Sequence, residues 1–556
     1  MDNKAKQKTV NVRFEDGQRS TFPKNITLLE ILESSNPPDK ETIVLAKVNN
    51  IICNLHQKIG NDCSIQWIHI NSIEGMRSYQ QTLSLVFIRA INELYPTTKI
   101  LIDHSLGNGF YCELKAKKHP NRRMVEKIKN QMHKIIDKDE VIKPLLVSYE
   151  QAVKYFKDWG EEPPLFVEKE KLSNLTFYQC GKIIDYINYP PFPSTGYIKS
   201  FDLHYWPPGI ILSFPESSNI YQLPRFIKQK KLFRVFSEYG QWENILGIEK
   251  VDDINKAIKS GEIFDLIKIA EGLHEKKIVQ IAEQITMKKK NVRIILIAGP
   301  SSSGKTTFAK RLNIQLRVNG LAPLAISLDD YFLDRDKTPK DKDGNYDFES
   351  PMAIDTFRLN EDLKKLMRGE TVELPRYDFK EGKSIPGPKY KLKPQQPILI
   401  EGLHSLNSQI TREIPRRNKL KVYVSALTQL NITDHIRVPT SDVRILRRLI
   451  RDYQFRDHST VYTLEHWPLV RQGEEKYIFP FQEETDIIFN SSLVYELAVL
   501  RNLVQPLLEK VPENHQTFPE AQRLLELIAY FLPVEPDKVP SNSILREFIG
   551  GSSFSY

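Results

Sequence analysis

The stretch that decides the fold of the C-terminal half reads IILIAGPSSSGKTTFAKRLNIQL, residues 294–316. It begins with Ile294–Ala298, a continuous apolar run that is typical of a buried strand in a parallel sheet. Phe308, Leu312 and Leu316 follow at helical spacing. The order of strand, glycine-containing loop and helix predicts an α/β unit in which the start of a helix faces the edge of a sheet.

The loop itself, GPSSSGKT at residues 299–306, has the spacing of a P-loop. Gly299 and Gly304 let the backbone turn tightly, and the helix N-terminus favours negative charge. Lys305 can reach the β- and γ-phosphates of ATP, and the Thr306 hydroxyl can bind Mg²⁺. The sequence therefore predicts a site for ATP with Mg²⁺. The predicted ATP-binding residues are Gly299, Pro300, Ser301, Ser302, Ser303, Gly304, Lys305, Thr306 and Thr307.

Two acidic residues follow further predicted strands. Asp329 comes directly after the strand 324–328, and Glu401 comes after the strand 397–400. Ligands of open parallel sheets bind beyond the carboxyl ends of the strands. Asp329 is therefore a candidate base for an attacking hydroxyl, although a helix-cap role would be favoured if it stood alone. Glu401 is a candidate Mg²⁺ ligand, acting through water.

A predicted helix over residues 442–452 carries an arginine stripe. Arg444, Arg447, Arg448 and Arg451 lie at i, i+3, i+4 and i+7, so they share one face. The alternatives are a solvated face or a lid that stabilises charge during phosphoryl transfer. Beside a P-loop we favour the lid.

Residues 291–500 resemble the uridine kinase / phosphoribulokinase family. The resemblance rests on the blocks GPSSSGKTT, SLDDYF, YDFESPMAID, PRYDF, LIEGLHSLN and RRLIRDYQFRD. It implies ATP-dependent phosphorylation of a nucleoside-like substrate. The implied catalytic residues are Asp329, Lys305, Arg451 and Arg456; the implied substrate-binding residues are Asp329, Glu349, Tyr377, Arg448 and His466; the implied metal ligands are Thr306 and Glu401.

The sequence departs from the family pattern where the base of the substrate is read. Gly382 stands where the family has a pyrimidine-reading histidine, His458 replaces an arginine and His466 replaces a glutamine. Glu349 is longer than the usual aspartate. The transfer chemistry is therefore expected to be intact, while the identity of the acceptor stays open.

Residues 1–72 resemble a TGS domain, a β-grasp-like module of threonyl-tRNA synthetases. The matching stretches are FEDGQRSTFPKNITLLEIL and VLAKVNN, and Thr27 is placed to cap the helix LLEILESS. The resemblance implies a binding module without chemistry of its own. RNA contact through this half of the chain is left open.

Residues 73–225 resemble the α+β editing domain of threonyl-tRNA synthetase. The positions of its catalytic groups hold Leu85, Arg89, Ile187 and Pro191, which can neither bind a metal as the original side chains do nor relay a proton. We expect no editing activity. Isolated histidines such as His104 and His204 are expected to be structural.

The remaining segments complete the predicted fold class, an α/β P-loop kinase domain (291–505) preceded by the TGS-like and editing-like domains. Residues 226–290 are predicted to form a helical connector. Residues 506–556 are predicted to form a C-terminal helix and a flexible Ser/Gly-rich tail.

The composition agrees with a cytoplasmic enzyme. The net charge of +9 over 556 residues is mild, and the four cysteines form no C-x-x-C pair. Neither a signal peptide nor an apolar run long enough for a membrane span is expected. Two other functions stay open, an RNA-associated nucleotide-dependent regulator and a kinase of another sugar-like metabolite. A homo-oligomer is also left open.

Overall fold

The N-terminal module is a mixed sheet that wraps one helix. The computed structural model describes residues 9–115, 119–161, 163–164, 167, 175–340, 344 and 346–556, so the first eight residues of the predicted TGS-like domain lie outside it. The sheet has the order β2-β1-β7-β4-β5, with β1 antiparallel to β2 and parallel to β7. The elements are β1 Thr9–Phe14, β2 Arg19–Pro23, β3 Ile26–Thr27, α1 Leu28–Ser35, β4 Ile43–Val48, β5 Ile51–Asn54, β6 Lys58–Ile59 and β7 Cys63–His69.

Local signals account for this module. Val10, Val12 and Phe14 alternate with exposed residues and are buried against α1 and its neighbours. Thr27 caps α1 through a capping box with Glu30, as its position predicts. The β-grasp-like prediction is confirmed.

The described part of the second module contains three helices and two antiparallel sheets, with orders β13-β14-β9-β8 and β10-β11-β12. Its long helix buries Leu83, Phe87 and Ile91, the apolar positions that predict it. The α+β prediction is confirmed. The elements are α2 Ile73–Leu94, β8 Lys99–Ser105, β9 Gly109–Lys115, α3 Arg122–Asp137, β10 Ile142–Val147, α4 Tyr149–Asp158, β11 Leu175–Cys180, β12 Ile183–Asp185, β13 Asp202–Trp206 and β14 Gly209–Ser213.

The predicted connector contains three helices, α5 Lys230–Leu246, α6 Val251–Ser260 and α7 Ile263–Met287. The apolar faces of α6 and α7 share one core cluster with the kinase-like domain that follows, and α5 packs in a second cluster with Ala298, Tyr423 and Ile488 of that domain. Arg311 of that domain donates to Glu275 at 2.6 Å and lies 3.5 Å from Glu271, both on α7. The connector is therefore packed as part of the catalytic half.

The kinase-like domain is built on a five-stranded parallel sheet of order β16-β19-β15-β20-β21. The central strand β15 is buried at all five positions, which explains its unbroken apolar run. The elements are β15 Ile294–Ala298, α8 Lys305–Val318, β16 Leu324–Ser327, α9 Thr356–Met367, β17 Thr371–Asp378, β18 Lys383–Lys391, β19 Ile398–Glu401, β20 Lys419–Ser425, α10 Thr440–Phe455, α11 Thr460–Tyr477, β21 Ile487–Asn490 and α12 Glu496–Leu508.

The C-terminal part adds α13 Phe518–Ala529 and the single turn α14 Arg546–Ile549. The predicted helix is present, and the segment predicted to be a flexible tail contacts the rest of the molecule. The Ser553 amide donates to the Ser541 carbonyl at 2.9 Å, and Lys310 of α8 donates to the Ser555 carbonyl. These contacts join residues distant in sequence, so composition alone does not reveal them. Among the described helices none combines the length and apolarity needed to cross a bilayer.

Candidate active site

The candidate site lies where the carboxyl ends of β15, β16 and β19 meet the start of α8. Glycine is required at both ends of the loop. A Cβ on Gly299 would collide with the Val424 carbonyl, and Gly304 has φ +79°, in the left-handed region. The sequence thus folds locally into the tight strand-loop-helix turn that directs the first N–H groups of α8 outward.

Side chains distant in sequence hold this loop from behind. Arg444 Nε donates to the Ser301 carbonyl at 2.9 Å, and Arg447 Nη1 donates to the Ser302 carbonyl at 3.4 Å. Glu474 accepts the Ser301 N–H at 2.9 Å. Glu474 was not among the predicted site residues, because its contacts depend on how α11 packs against the arginine stripe of α10.

The arginine stripe divides into two parts. Arg444 and Arg447 are buried, at 1 % and 0 % exposure, and form ion pairs with Glu474 and with Glu496, the latter at 2.6 Å. For these two residues both alternatives, solvated face and lid, are wrong. Burial of a guanidinium requires a charged partner, and the stripe alone does not show that α11 and α12 supply one.

The other arginines form a positive cluster beside the loop. Arg448, Arg451 and Arg456 lie 3.0, 3.5 and 3.3 Å from carboxylate oxygens of Asp452. Arg448 also donates to the Ser301 hydroxyl at 2.9 Å. Burial, and then repulsion by Arg456, lowers the pKa of Arg451 to about 10. The structure thus brings together the three arginines implied as catalytic or substrate-binding.

Thr306 and Glu401 form the predicted metal position. The Thr306 hydroxyl donates to Glu401 Oε1 at 3.3 Å, while Oε2 is buried without a hydrogen-bond partner among the described residues. Burial raises the Glu401 pKa to about 7; Lys305 opposes the shift and Asp329 adds to it. A hydroxyl and a carboxylate with a free, desolvated oxygen suit Mg²⁺.

Protein ligands alone do not complete such a site. Within the described part of the chain, no group of three or more His, Cys, Asp or Glu side chains is arranged to hold a metal ion. Mg²⁺ commonly takes one or two protein ligands together with waters and substrate phosphates. The donor set therefore fits Mg²⁺ that arrives with a nucleotide.

Asp329 lies at the end of β16, in a turn of 3₁₀ helix over Leu328–Tyr331. Ser327, rather than Asp329, caps this turn, since the Ser327 hydroxyl accepts the Asp329 N–H at 3.3 Å. Burial raises the Asp329 pKa, and Lys305 and Arg456 oppose that shift. Its side chain retains partial solvent access, although protein atoms surround it closely. The cap alternative therefore does not explain this carboxylate.

Glu349 and His404 lie on another side of the same site. Burial raises the Glu349 pKa to about 7, against the pull of Arg448, while Glu474 adds to the rise. His404 is buried, and neither ring nitrogen makes a hydrogen bond of normal geometry to any described residue, although the ring faces the Glu349 backbone. Burial lowers the His404 pKa to about 4, so this ring is neutral. His404 was missed by sequence reasoning, despite lying three residues after Glu401.

The predicted acceptor residues are placed as follows. The Tyr377 ring packs on Phe332 and Phe379 at centroid distances of 5.7 and 5.1 Å, and its buried hydroxyl has no partner among the described residues. His466 stacks on Tyr462 at 3.9 Å and bonds the Tyr462 carbonyl within α11. The roles assigned to these side chains remain predictions.

Gly382 has a structural explanation. Its φ is +68°, and a Cβ there would lie 2.7 Å from Arg335 Nε. The Arg335 side chain is held in this position by a hydrogen bond from its Nη2 to the Phe379 carbonyl at 2.9 Å. A histidine at position 382 would therefore meet both backbone strain and the Arg335 side chain.

In the editing-like module, apolar side chains and an ion-paired arginine lie at positions where the resemblance would place catalytic groups. Leu85 and Ile187 share a small buried cluster with Tyr178. The Arg89 guanidinium contacts Glu93 at 2.8 Å and Glu140 at 2.9 Å. These side chains occupy the positions at which the resemblance to the editing domain would place its catalytic groups.

The two isolated histidines of this module pack on aromatic rings of the segment that follows it. His104 stacks on Phe236 at 3.7 Å and contacts Asp103 at 2.8 Å. His204 stacks on Phe226 at 3.9 Å. Both contacts fit the structural role expected for them.

Comparisons with known proteins agree with this division of the chain. Residues 294–497 match the sequence model described as "Phosphoribulokinase / Uridine kinase family". Threonine–tRNA ligase 2 of Bacillus subtilis is 30 % identical over 198 residues, covering 35 % of this chain and 31 % of that protein. Threonine–tRNA ligase of Carboxydothermus hydrogenoformans is 28 % identical over 196 residues, covering the same shares.

A solved structure described as a "possible uridine kinase" from Bacillus stearothermophilus matches with a TM-score of 0.24 and 21 % identity, covering 36 % of this chain and 89 % of that one. The chain spans about a third of the length of the curated ligases that it matches. Residues 294–497 are thus a P-loop kinase domain of the phosphoribulokinase / uridine kinase family, joined to an N-terminal half that is homologous to threonine–tRNA ligases.

Proposed function

We propose that the protein transfers the γ-phosphoryl group of ATP to the 5′-hydroxyl of a nucleoside. One observation carries this proposal. Asp329 is a half-buried carboxylate with a raised pKa, and its charge interacts with that of the P-loop lysine Lys305 and with that of Glu401, which pairs with Thr306. A base, a phosphate-binding cation and a metal position around one loop are the parts that phosphoryl transfer needs.

In the proposed reaction, Asp329 accepts the proton of the acceptor hydroxyl. The freed oxygen forms a bond to the γ-phosphorus while the bond from that phosphorus to the bridging oxygen breaks, leaving ADP. Lys305 and the arginine cluster stabilise the charge that develops on the transferred group. Bound Mg²⁺, held by Thr306 and Glu401, would neutralise charge on the β- and γ-phosphate oxygens.

The proposed acceptor contacts are Glu349, Tyr377 and Arg448. Glu349 lies close to Gly473 of α11: a Cβ added to Gly473 would lie 2.9 Å from the Cβ of Glu349. Helix α11 and the Glu349 side chain therefore enclose one side of the site. The family uses this acid for ribose hydroxyls. Since Gly382 supplies no side chain for base reading, we infer that selectivity between bases is weaker than in uridine kinases.

Acceptor-dependent turnover tests this function. ATP consumption is measured for the full chain with a panel of nucleosides, and with sugar-like alcohols for comparison. Asp329→Asn is expected to lower turnover by ~10²-fold or more while leaving ATP affinity near the wild-type value. Asp336→Asn, an exposed neighbour, is the matched control. Near-normal turnover in Asp329→Asn would remove the assigned base.

A second candidate, an RNA-associated nucleotide-dependent regulator, is favoured by the homology of the N-terminal half to threonine–tRNA ligases. It predicts tRNA binding whose affinity falls steeply with salt, and no ATP turnover that depends on a small acceptor. Acceptor-dependent turnover without RNA binding would exclude it.

A further inference from the structure

The end of the chain lies on the nucleotide-binding loop. Residues 543–556, the C-terminal segment, place Glu547 against the start of α8. Glu547 Oε2 accepts the Thr307 backbone N–H at 3.1 Å and the Thr307 hydroxyl at 2.7 Å. The Tyr556 hydroxyl lies 2.7 Å from the same Thr307 hydroxyl. Thr307 is completely buried as a result.

The Thr307 N–H belongs to the phosphate-binding part of the motif. Thr307 is the third residue of α8, so its N–H is one of the four that a helix start leaves without a partner inside the helix. In a P-loop these outward N–H groups bind the α- and β-phosphates of the nucleotide. The Glu547 carboxylate thus holds a donor that the phosphates of ATP would use.

Further contacts fix the C-terminal segment at this place. Ile544 packs so closely on Gly304 that a Cβ on the glycine would overlap its methyl group. The Phe548 ring lies 5.1 Å from the Arg447 guanidinium, and the Ser555 carbonyl accepts from Lys310. The charge of Glu547 also acts within the site, because it adds to the rise of the Glu401 pKa.

We propose that residues 543–556 form an autoinhibitory segment, in which Glu547 competes with the phosphates of ATP for the start of α8 and must withdraw before MgATP binds. A carboxylate and a phosphate cannot share one N–H donor, and their like charges repel across the site. This inference rests on the proposed function for the identity of the ligand, ATP, but not for the acceptor.

Nucleotide affinity of the full chain tests the competition. The Kd for MgATP is measured by calorimetry, without an acceptor, for wild type, Glu547→Gln and Asp537→Asn. Glu547→Gln keeps the shape of the side chain and removes its charge, so it is expected to bind MgATP about tenfold more tightly. Asp537→Asn removes a charge from an exposed side chain of the preceding turn and is expected to bind like wild type.

Hydrogen exchange on the wild-type chain provides a measurement that needs no variant. Amides of residues 543–556 are expected to exchange faster when MgATP is saturating, because the segment leaves α8. Exchange that MgATP leaves unchanged or slows would overturn the proposal, since the segment would then be a fixed wall of the site. Unaltered or lost MgATP binding in Glu547→Gln would overturn it as well.

These readouts separate the inference from the proposed function. Tighter MgATP binding in Glu547→Gln without any nucleoside phosphorylation would refute the acceptor and keep the autoinhibitory segment. Nucleoside phosphorylation by the wild type, together with an unchanged MgATP affinity in Glu547→Gln, would support the proposed acceptor and refute the autoinhibitory segment.

Discussion

At the scale of single residues, the site is defined by carboxyl groups whose environment opposes ionisation. Burial raises the pKa values of Glu401 and Glu349 to about 7 and shifts that of Asp329 upward. The positive charge of Lys305 or of an arginine acts on each carboxyl group, and it reduces the rise in pKa without cancelling it. Desolvated acids next to cations are frequent in sites where a proton or a metal ion is exchanged.

These pKa values predict the pH dependence of the reaction. In the free enzyme, Glu401 becomes protonated as the pH falls through about 7, and it then loses the charge that would hold Mg²⁺. We expect kcat/KM for MgATP to fall as the pH is lowered from 8 to 5.5. In Glu349→Gln the acid limb should persist, because Glu401 still titrates. A flat wild-type profile over this range would contradict the assignment of Glu401.

The same shifts affect stability with the opposite sign. The folded state binds these protons more tightly than the unfolded chain, whose glutamates titrate near 4.5. The stability that the two glutamates contribute is therefore fully present below about pH 4.5, and is lost as the pH rises to about 7.

At the scale of elements, the P-loop depends on helices that lie far from it in sequence. Helix α10 supplies Arg444 and Arg447, α11 supplies Glu474, and α12 supplies Glu496. The loop carbonyls accept from the arginines, and each arginine is neutralised by a carboxylate from another helix. The phosphate-binding loop is thus fixed before a nucleotide arrives.

The buried pair of Arg447 and Glu496 allows a test of this arrangement. Glu496→Gln leaves the Arg447 charge in the core without compensation, and we expect the free energy of unfolding to fall by about 3–5 kcal/mol. Adding Arg447→Met should restore part of that loss. Urea denaturation measures both, with the exposed Asp265→Asn as a control expected within about 0.5 kcal/mol of wild type. Equal stability of Glu496→Gln and wild type would mean that the pair is not needed to hold α10.

At the scale of the whole molecule, ion pairs join the ligase-like half to the catalytic half. Glu520 of α13 contacts Arg77 of α2 at 2.5 Å and Arg523 at 2.8 Å, and Arg523 continues to Asp442 of α10 at 2.5 Å. Burial alone would raise the Glu520 pKa, but the two arginines outweigh it and hold that pKa far below its usual range. The chain of contacts runs from the editing-like helix to the helix that carries the arginine cluster.

Removal of the central carboxylate should weaken this junction. Glu520→Gln leaves Arg77 and Arg523 close together without the charge between them, and we expect a loss of about 3 kcal/mol in unfolding free energy. We also expect faster hydrogen exchange in α2 and α13. Glu509→Gln, at an exposed position directly after α12, is the control. Unchanged exchange in both helices would show that the halves are held together elsewhere.

Sequence alone determined the strand, loop and helix of the phosphate site, the parallel sheet and the β-grasp-like module. The elements themselves follow from periodicity, glycine positions and caps, which act over a few neighbouring residues, while the β-grasp-like arrangement was predicted from the resemblance to TGS domains. Asp329, Glu401 and the P-loop could be predicted to lie together because strand ends in a parallel sheet share one edge.

Only the tertiary structure decided what surrounds that loop. Arg444 meets Glu474 across 30 positions of the chain, and Thr307 meets Glu547 across 240. The arginine stripe on α10 was visible in the sequence. Its division into two buried, ion-paired arginines and a positive cluster depends on which helices pack against α10. The C-terminal tail was predicted to be flexible for the same reason. Its partners lie on α8, and contacts between distant segments are set by packing, not by local pattern.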